Sequence, residues 1–397
     1  MTKKALTILY TNIGRGHPFY LDGVVAEWAR SGGDPAALEL TDVFQVSTLV
    51  PRQMWKIMRT LYRRGSSSGP AAFLYGRIRG STRLHRAGPA LYLAGLTLRS
   101  RLAQSDAPVL VAHPLLVSIL SGKRGLYYQH GEVVTPEQAA VTGAYVVFVP
   151  IEDAAAPFLA RGYQREQIIV TGLCIEPEIV PRANEAYARR RARIASGPAL
   201  VGAFFSSGAE PRLHVRHLTA AAMSAVRAGG RAVIFAQTGG ALARQVALGA
   251  GRAGIPLTVQ ADPPLPGEPP VGATLSLYRS RADLNARVVR YFDFFDYFAA
   301  PAHERTHWAL GLGLPMFVLG PHIGPYAPLN YARLVAAGVA GSIESAACAL
   351  AFGTTLAQIC KDGKLAEMAA CGCGTLPLDG FAQIARHLAD RMQAPPC

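Results

Sequence analysis

The sequence predicts an α/β fold built from two parallel sheets, and three observations carry that prediction. Apolar runs of strand length alternate with helical patterns through most of the 397 residues. The runs are largely apolar throughout, as strands buried on both faces require. They also fall into two series, and the length suffices for two or three domains, each with its own core. The first series occupies residues 5–11, 36–40, 109–112, 126–129, 144–149 and 168–171. The second occupies 199–205, 231–236, 257–260, a strand near 292–298, and 316–319. Between them lies 177–198, which carries Arg189, Arg190, Arg191 and Arg193 and reads as a connection. The expected organisation is a first domain over 1–176, a linker over 177–198 and a second domain over 199–375, with the two sheets facing across a cleft. A last helix near 379–392, within 376–397, is placed to pack back on the first domain. The proline-rich stretch 262–270 reads as a loop.

Composition excludes several classes. Half the residues are hydrophobic and only 17% are charged, too apolar for a chain that is mainly disordered. The six cysteines (174, 348, 360, 371, 373, 397) lack the paired spacing of a disulfide scaffold or a zinc site, and Cys371-Gly-Cys373 is CxC rather than CxxC. Reduced, cytosolic thiols and no metal are expected. The longest stretch free of Asp, Glu, Lys and Arg, 306–332, has the length of a membrane span but carries Pro315, Pro321, Pro325 and Pro328, which break a continuous helix. The opening MTKKALTILYTNIG has too short an apolar run for a signal peptide and reads as a first buried strand.

The formal net charge of +14 is uneven: between Asp42 and Asp106 there is no acidic residue and there are eleven Lys or Arg. Arg52, Lys56, Arg59 and Arg63 recur at helical spacing, with Trp55 among the apolar residues between them. Such a helix suits an anionic membrane surface, although a solvated basic face has the same pattern. Nucleic acid is not expected, since no nucleic-acid-reading motif accompanies the charge. The acid-free stretch favours the membrane, and hence a cytoplasmic protein peripherally associated with it.

In open parallel sheets ligands sit beyond the carboxyl ends of strands, so each loop after a predicted strand is a candidate site. The first is Asn12-Ile13-Gly14-Arg15-Gly16-His17. Its glycines permit a tight turn, and the following helix N-terminus favours an anion. Phe19 stands where a dinucleotide fingerprint needs its third glycine, which disfavours plain NAD binding. His17 reads either as a cleft residue or as a helix cap. His113-Pro114 and His130-Gly131-Glu132 follow two further strands. A histidine and a carboxylate at one strand end suit a general base, though they equally suit a polar loop. In the second half, Ser206-Ser207-Gly208 has the small residues of a phosphate loop, and His303-Glu304-Arg305-Thr306 lies between a strand and a helix.

These motifs, in this order, resemble the two-domain GT-B glycosyltransferases of the group containing monogalactosyldiacylglycerol synthases, diacylglycerol glucosyltransferases and the lipid II-forming N-acetylglucosaminyltransferase. GRGHPFYLDGVV resembles their glycine-rich turn ending in His, and LTDVFQVSTLVPRQMWKIMRTLYRR their acceptor-side stretch. VLVAHPLL is similar to their strand ending in His-Pro, and VPIEDAAAPFLARGYQREQIIVTGLCIEP to the run closing their first domain. Most of residues 5–180 are covered. GLGLPMFVLGPH, with His322, and the later Asn330 are similar to the donor-side segment.

The resemblance implies a GT-B fold of two facing Rossmann-like domains and inverting transfer of a sugar from a nucleotide donor, often UDP-linked, to a lipid or amphiphilic acceptor. The nucleotide sugar is a substrate, and no cofactor is implied. Gly14, Arg15, Gly16, His17 and His113 match the acceptor side. The family's proposed base falls within one residue of Gly131, which points to His130 or Glu132 for proton abstraction, with His17 positioning a substrate. Ser206, Ser207, Gly208, His303, Glu304, Arg305, Thr306, His322 and Asn330 match the donor side. Trp308 stands where the family has its ribose-binding Glu, and Tyr326 and Ala327 where it has a polar pair. Losing that carboxylate removes charge-assisted hydrogen bonds of about 1.5–3 kcal/mol each. An epimerase- or hydrolase-like relative, or a non-catalytic membrane-binding one, is the alternative.

Overall fold

A computed structural model describes residues 6–14, 16–65, 88–197, 199–262 and 267–393. The chain divides into two compact units, Met1–Pro177 with Gly324–Tyr326 and Pro377–Cys397, and Glu178–Ile323 with Ala327–Leu376.

The first unit is built on a six-stranded, wholly parallel sheet: β1 (Leu6–Tyr10), β2 (Leu38–Asp42), β3 (Val109–Val111), β4 (Leu126–Gln129), β5 (Val146–Val149) and β6 (Ile168–Val170). Its order is β2-β1-β3-β4-β5-β6, and Ile8 of β1 pairs with Leu40 on one side and Leu110 on the other. Every residue of β1, β3, β4 and β5 is buried, which is why these strands read as unbroken apolar runs. β2 is an edge strand, and its Leu40 remains 55% exposed.

The last helix, Gly380–Gln393, belongs to this unit. The chain re-enters beside β6, where the Leu173 amide donates to the Pro377 carbonyl (2.7 Å) and the Gly380 amide to the Leu173 carbonyl (3.0 Å). The helix lies against Gly16–Arg30, with Phe19 and Phe381 in edge contact at 5.9 Å.

The second unit holds a seven-stranded parallel sheet: β7 (Val201–Phe205), β8 (Arg231–Gln237), β9 (Leu257–Gln260), β10 (Ala273–Tyr278), β11 (Tyr297–Ala300), β12 (Met316–Leu319) and β13 (Ala340–Ile343). Its order is β13-β12-β11-β7-β8-β10-β9. Two strands were not predicted. β10 follows a proline-rich stretch that masks its start. β13 (AGSI) has almost no strand-forming side chains, and its backbone bonds to β12 define it. The strand expected near 292–298 begins only at Tyr297. Phe292–Phe294 is a single 3₁₀ turn, and Phe292 and Phe295 are fully buried in an aromatic core.

The stretch expected to be a linker is mostly a helix, Ala183–Ser196, anchored in this unit. Arg190 is fully buried and donates to the carbonyls of Phe295 (2.9 Å), Leu312 (2.7 Å) and Gly313 (3.1 Å). Arg193 pairs with buried Asp296 at 2.7 Å, whose second oxygen accepts from the Val201 amide at 2.8 Å. Of the arginines that suggested a connection, Arg190 and Arg193 instead satisfy loop carbonyls of this unit, whereas Arg189 pairs with Glu185 and Asp293 and Arg191 lies exposed over Tyr187.

The helix pair of the first unit yields a test. A Cβ at Gly23 would stand 2.2 Å from two ring atoms of Phe381. Gly23→Ala should therefore overpack this contact and cost about 1–3 kcal/mol in urea unfolding. Combining it with Phe381→Leu should recover part of that loss.

Candidate active site

In a parallel sheet the strand order reverses at one point, and the loops there diverge to leave a crevice. In the first unit the reversal lies between β1 and β3, since β2 is on one side of β1 and β3 to β6 are on the other. The two loops at this point carry His17 and His113. Their rings lie 4.5 Å apart, centroid to centroid, inclined by 51°. His113 caps the helix Pro114–Leu120, its Nδ1 accepting from the Leu115 amide at 3.2 Å, so a neutral His113 carries its proton on Nε2. His17 stands in the first turn of Gly16–Arg30 and is half-buried. Gly14 takes φ +102°, and a Cβ there would lie 3.0 Å from the Tyr62 hydroxyl, so the turn needs glycine on both counts. Asn12 donates to Asp42, tying the turn to the end of β2. Arg15 lies outside the described residues.

The β4 loop is placed differently from what its sequence suggests. His130 is 2% exposed, and both ring nitrogens are engaged. Thr135 donates its hydroxyl to the Ala154 carbonyl at 2.7 Å. Its oxygen can therefore accept from His130 Nε2–H at 2.8 Å, a proton that also points to the Val134 carbonyl at 3.0 Å. Nδ1 then accepts from Tyr128 at 3.3 Å. Burial, opposed by the bond to Val134, pushes His130 down to about 4. Glu132 is buried too, and its charge adds to the burial that raises the Tyr128 phenol and the Cys174 thiol. A Cβ at Gly131 would fall 2.2 Å from the Tyr20 ring, so a side chain has no room where the family's base loop maps.

In the second unit the reversal lies between β7 and β11. Here the loop 206–211 after β7 neighbours the loop 301–305 after β11. Ser206 is buried, Ser207 half-buried and Gly208 exposed. Arg305, 6% exposed, lays its guanidinium over Phe205 (4.2 Å to the centroid) and Trp308 (4.8 Å). Trp308 sits in edge contact with Phe205, Phe292 and Phe298. His303 and Glu304 are half-buried, whereas Thr306 is fully buried. Asn330, also fully buried, donates to the Ala302 carbonyl at 3.0 Å and so braces the loop from behind.

Two histidines that sequence reasoning missed support the β12 loop. His214 Nε2–H donates to the Pro321 carbonyl at 2.7 Å and His217 Nδ1–H to the Gly320 carbonyl at 3.0 Å. Their i, i+3 spacing on the helix Arg212–Arg227 was the available signal. Burial pushes His214 down to about 4, with His303, His217 and His322 close enough to add to the shift. His322, half-buried, lies against Tyr331 with ring centroids 4.8 Å apart. Among the described residues no group of three or more His, Cys, Asp or Glu is arranged to hold a metal ion.

The basic helix, Leu49–Gly65, presents a different face from the one expected. Trp55 is fully buried and donates Nε1–H to the Ala94 carbonyl at 3.2 Å, so it is a packing residue beneath the helix Pro89–Ala103. Arg52 bonds the Ser47 and Gln45 carbonyls, and Arg59 covers Phe44 at 4.6 Å. The stripe left exposed is Leu49, Val50, Gln53, Lys56, Ile57, Thr60 and Leu61, and the neighbouring helix exposes Tyr92, Leu93 and Leu96. The Arg63 side chain lies outside the described residues. Among the described residues no helix is long and apolar enough to cross a membrane.

The architecture is that of the GT-B fold. Similar solved structures include the UDP-GlcNAc 2-epimerase of Neisseria meningitidis bound to UDP-GlcNAc, with a TM-score of 0.56, 11% identity, and 98% of this chain and 99% of that one covered. The S. aureus MnaA–UDP structure matches with a TM-score of 0.51 and 11% identity, over 99% and 97%. At such identities the likeness is one of fold. No protein-family model matches the sequence, and no curated protein is significantly similar to it.

The two depressed histidines set a pH dependence. His130 and His214 stay neutral in the folded chain down to about pH 4, whereas the unfolded chain binds those protons near pH 6.5. Stability should thus be insensitive to these groups above pH 7 and fall as pH drops from 6.5 towards 4, by on the order of 3 kcal/mol per histidine. Urea unfolding at pH 7.5 and 4.5 checks this, and His130→Gln should lose its share of the acid sensitivity.

Proposed function

We propose that this chain is an inverting glycosyltransferase that moves a sugar from a nucleoside-diphosphate donor to a hydroxyl of a lipid or amphiphilic acceptor at a membrane surface. The observation that supports it best is that both sheets gather their chemistry-bearing side chains at the strand-order reversal. The first unit gathers an imidazole pair there. The second gathers a buried arginine, a serine loop and a half-buried histidine, groups that suit a phosphate-bearing ligand. That the similar structures include proteins bound to UDP-GlcNAc and UDP agrees with a nucleotide sugar as the ligand.

In this reading the second unit takes the donor. Arg305 is buried and held by two rings, and a guanidinium in so dry a setting makes strong charge-assisted bonds to phosphate oxygens. The N-terminus of Arg212–Arg227, following the Ser206 loop, adds partial positive charge. With Trp308 in place of a carboxylate, the ribose is held by other groups, of which half-buried Glu304 is the nearest carboxylate in sequence. His17 is the general base. It is half-buried at the reversal, whereas His130 is enclosed with both nitrogens engaged and is left to hold its loop. His17 removes the acceptor proton, the acceptor oxygen attacks the anomeric carbon from the face opposite the nucleotide, and the nucleoside diphosphate leaves as an anion. The exposed apolar stripe around Lys56 brings the chain to an anionic bilayer, with each nearby cation contributing about 1 kcal/mol.

Two tests follow. Among UDP, GDP, ADP and dTDP, at least one should raise the melting temperature, as a ligand at a hundred times its Kd adds about 2.7 kcal/mol. With the matching sugar donor, His17→Ala should lose roughly 10²–10⁴-fold in turnover while nucleotide binding is retained. Interconversion of donor sugars without any acceptor would replace transfer by epimerisation. For the membrane, Ile57→Glu with Leu61→Glu should abolish co-sedimentation with phosphatidylglycerol vesicles at unchanged melting temperature. Undiminished sedimentation would remove the membrane from the proposal.

A further inference from the structure

Glu210 closes the loop that leaves β7, and among the described residues it is the one non-glycine residue at positive φ, +44°. A long, charged side chain gains nothing from that conformation, so something else must hold it there. Its amide donates to the Ser207 carbonyl at 3.1 Å, which closes the turn over Gly208 and Ala209. Its carboxylate reaches 31 residues along the chain to the helix Ala241–Ala253, which follows β8. There one oxygen accepts from the amides of Ala241 (2.6 Å) and Leu242 (3.2 Å). The N-cap of that helix is Gly240, which has no side chain to offer. A Cβ at Gly240 would lie 2.8 and 2.9 Å from the two carboxylate oxygens. The missing side chain and the distant carboxylate are thus complementary: the glycine vacates the capping place and Glu210 fills it.

We infer that Glu210 is a positioning residue for the donor diphosphate, an inference that rests on the reading of the second unit as the nucleotide site. The tether draws the 206–210 turn towards β8 and fixes Ser206, Ser207 and Gly208 in one arrangement beside Arg305. It also seats a carboxylate on the N-terminus of Ala241–Ala253. A phosphate approaching this sheet edge is repelled there and directed to the crevice between β7 and β11. The left-handed turn is the strain that this tether holds in place.

The test measures affinity by calorimetry on the full chain, using whichever of UDP, GDP, ADP and dTDP gives the largest thermal shift. Glu210→Ala should weaken that nucleotide at least tenfold. Glu210→Gln, which keeps an acceptor oxygen, should stay within about threefold, and acetate at tens of millimolar should restore part of the affinity of Glu210→Ala alone. Gly240→Ala should also weaken binding, by displacing the carboxylate, and it decides the matter if Glu210→Ala does not fold. Ser345→Ala removes the cap of Ala346–Leu350 beyond β13 and serves as the stability control. It should lower the melting temperature and leave affinity unchanged. Wild-type affinity in Glu210→Ala or Gly240→Ala, or an equal loss in Ser345→Ala, overturns the inference. If no nucleotide binds the wild-type chain, the reading of the second unit falls and this inference with it.

Discussion

Every strand in both sheets runs parallel to its neighbours, and most of what is distinctive about the protein follows from that constraint. Parallel strands need crossover connections, and the crossovers cover both sheet faces, so the central strands must be apolar on both sides. All carboxyl ends then fall on one edge of each sheet. Polar chemistry has little room within the sheets and collects in the loops at that edge. His17, His113, Ser206, His303 and Arg305 occupy such loops, next to strands that are buried throughout.

The second sheet shows how aromatic packing supports a buried charge. Phe205, Phe292, Phe298 and Trp308 form one aromatic cluster, and Phe205 also stacks on Phe235 with centroids 4.7 Å apart. A carboxylate at position 308 would be buried among these rings at a large desolvation cost. Tryptophan removes that cost and offers a face to Arg305, whose guanidinium is less strongly hydrated than an ammonium and tolerates the setting. The positive charge at the crevice is thus supported by packing, with Asn330 and the two clamping histidines fixing the loops on either side.

Burial divides the histidines and arginines into two populations that their sequence context does not separate. His130 and His214 are enclosed and held neutral, bonded to loop groups, and Arg190 spends its donors on three carbonyls. His17 and His303 keep partial access to solvent. Titratable side chains at strand ends therefore serve both to build loops and to furnish chemistry. Ring access tells the two apart, where residue type and spacing cannot.

The sequence by itself determined the fold class, eleven of the thirteen strands among the described residues and the loops in which polar chemistry resides. These depend on local apolar runs and on punctuation by Gly and Pro, which are visible without neighbours. It did not determine β13, whose four residues become a strand only by pairing with β12, or the role of 183–196, where the carbonyl partners of Arg190 and Arg193 come from a hundred or more residues away. It suggested a basic face at Arg52, Lys56, Arg59 and Arg63. Packing instead buried Trp55, engaged Arg52 and Arg59 with neighbouring carbonyls and a ring, and left Leu49, Val50, Ile57 and Leu61 exposed beside Gln53, Lys56 and Thr60. The pairing of His17 with His113, the enclosure of His130 and the tether from Glu210 to Ala241 were decided by tertiary structure alone. The first and last depend on a distance between segments far apart in the chain, and the burial of His130 depends on how its loop folds back and is covered; no local periodicity encodes either.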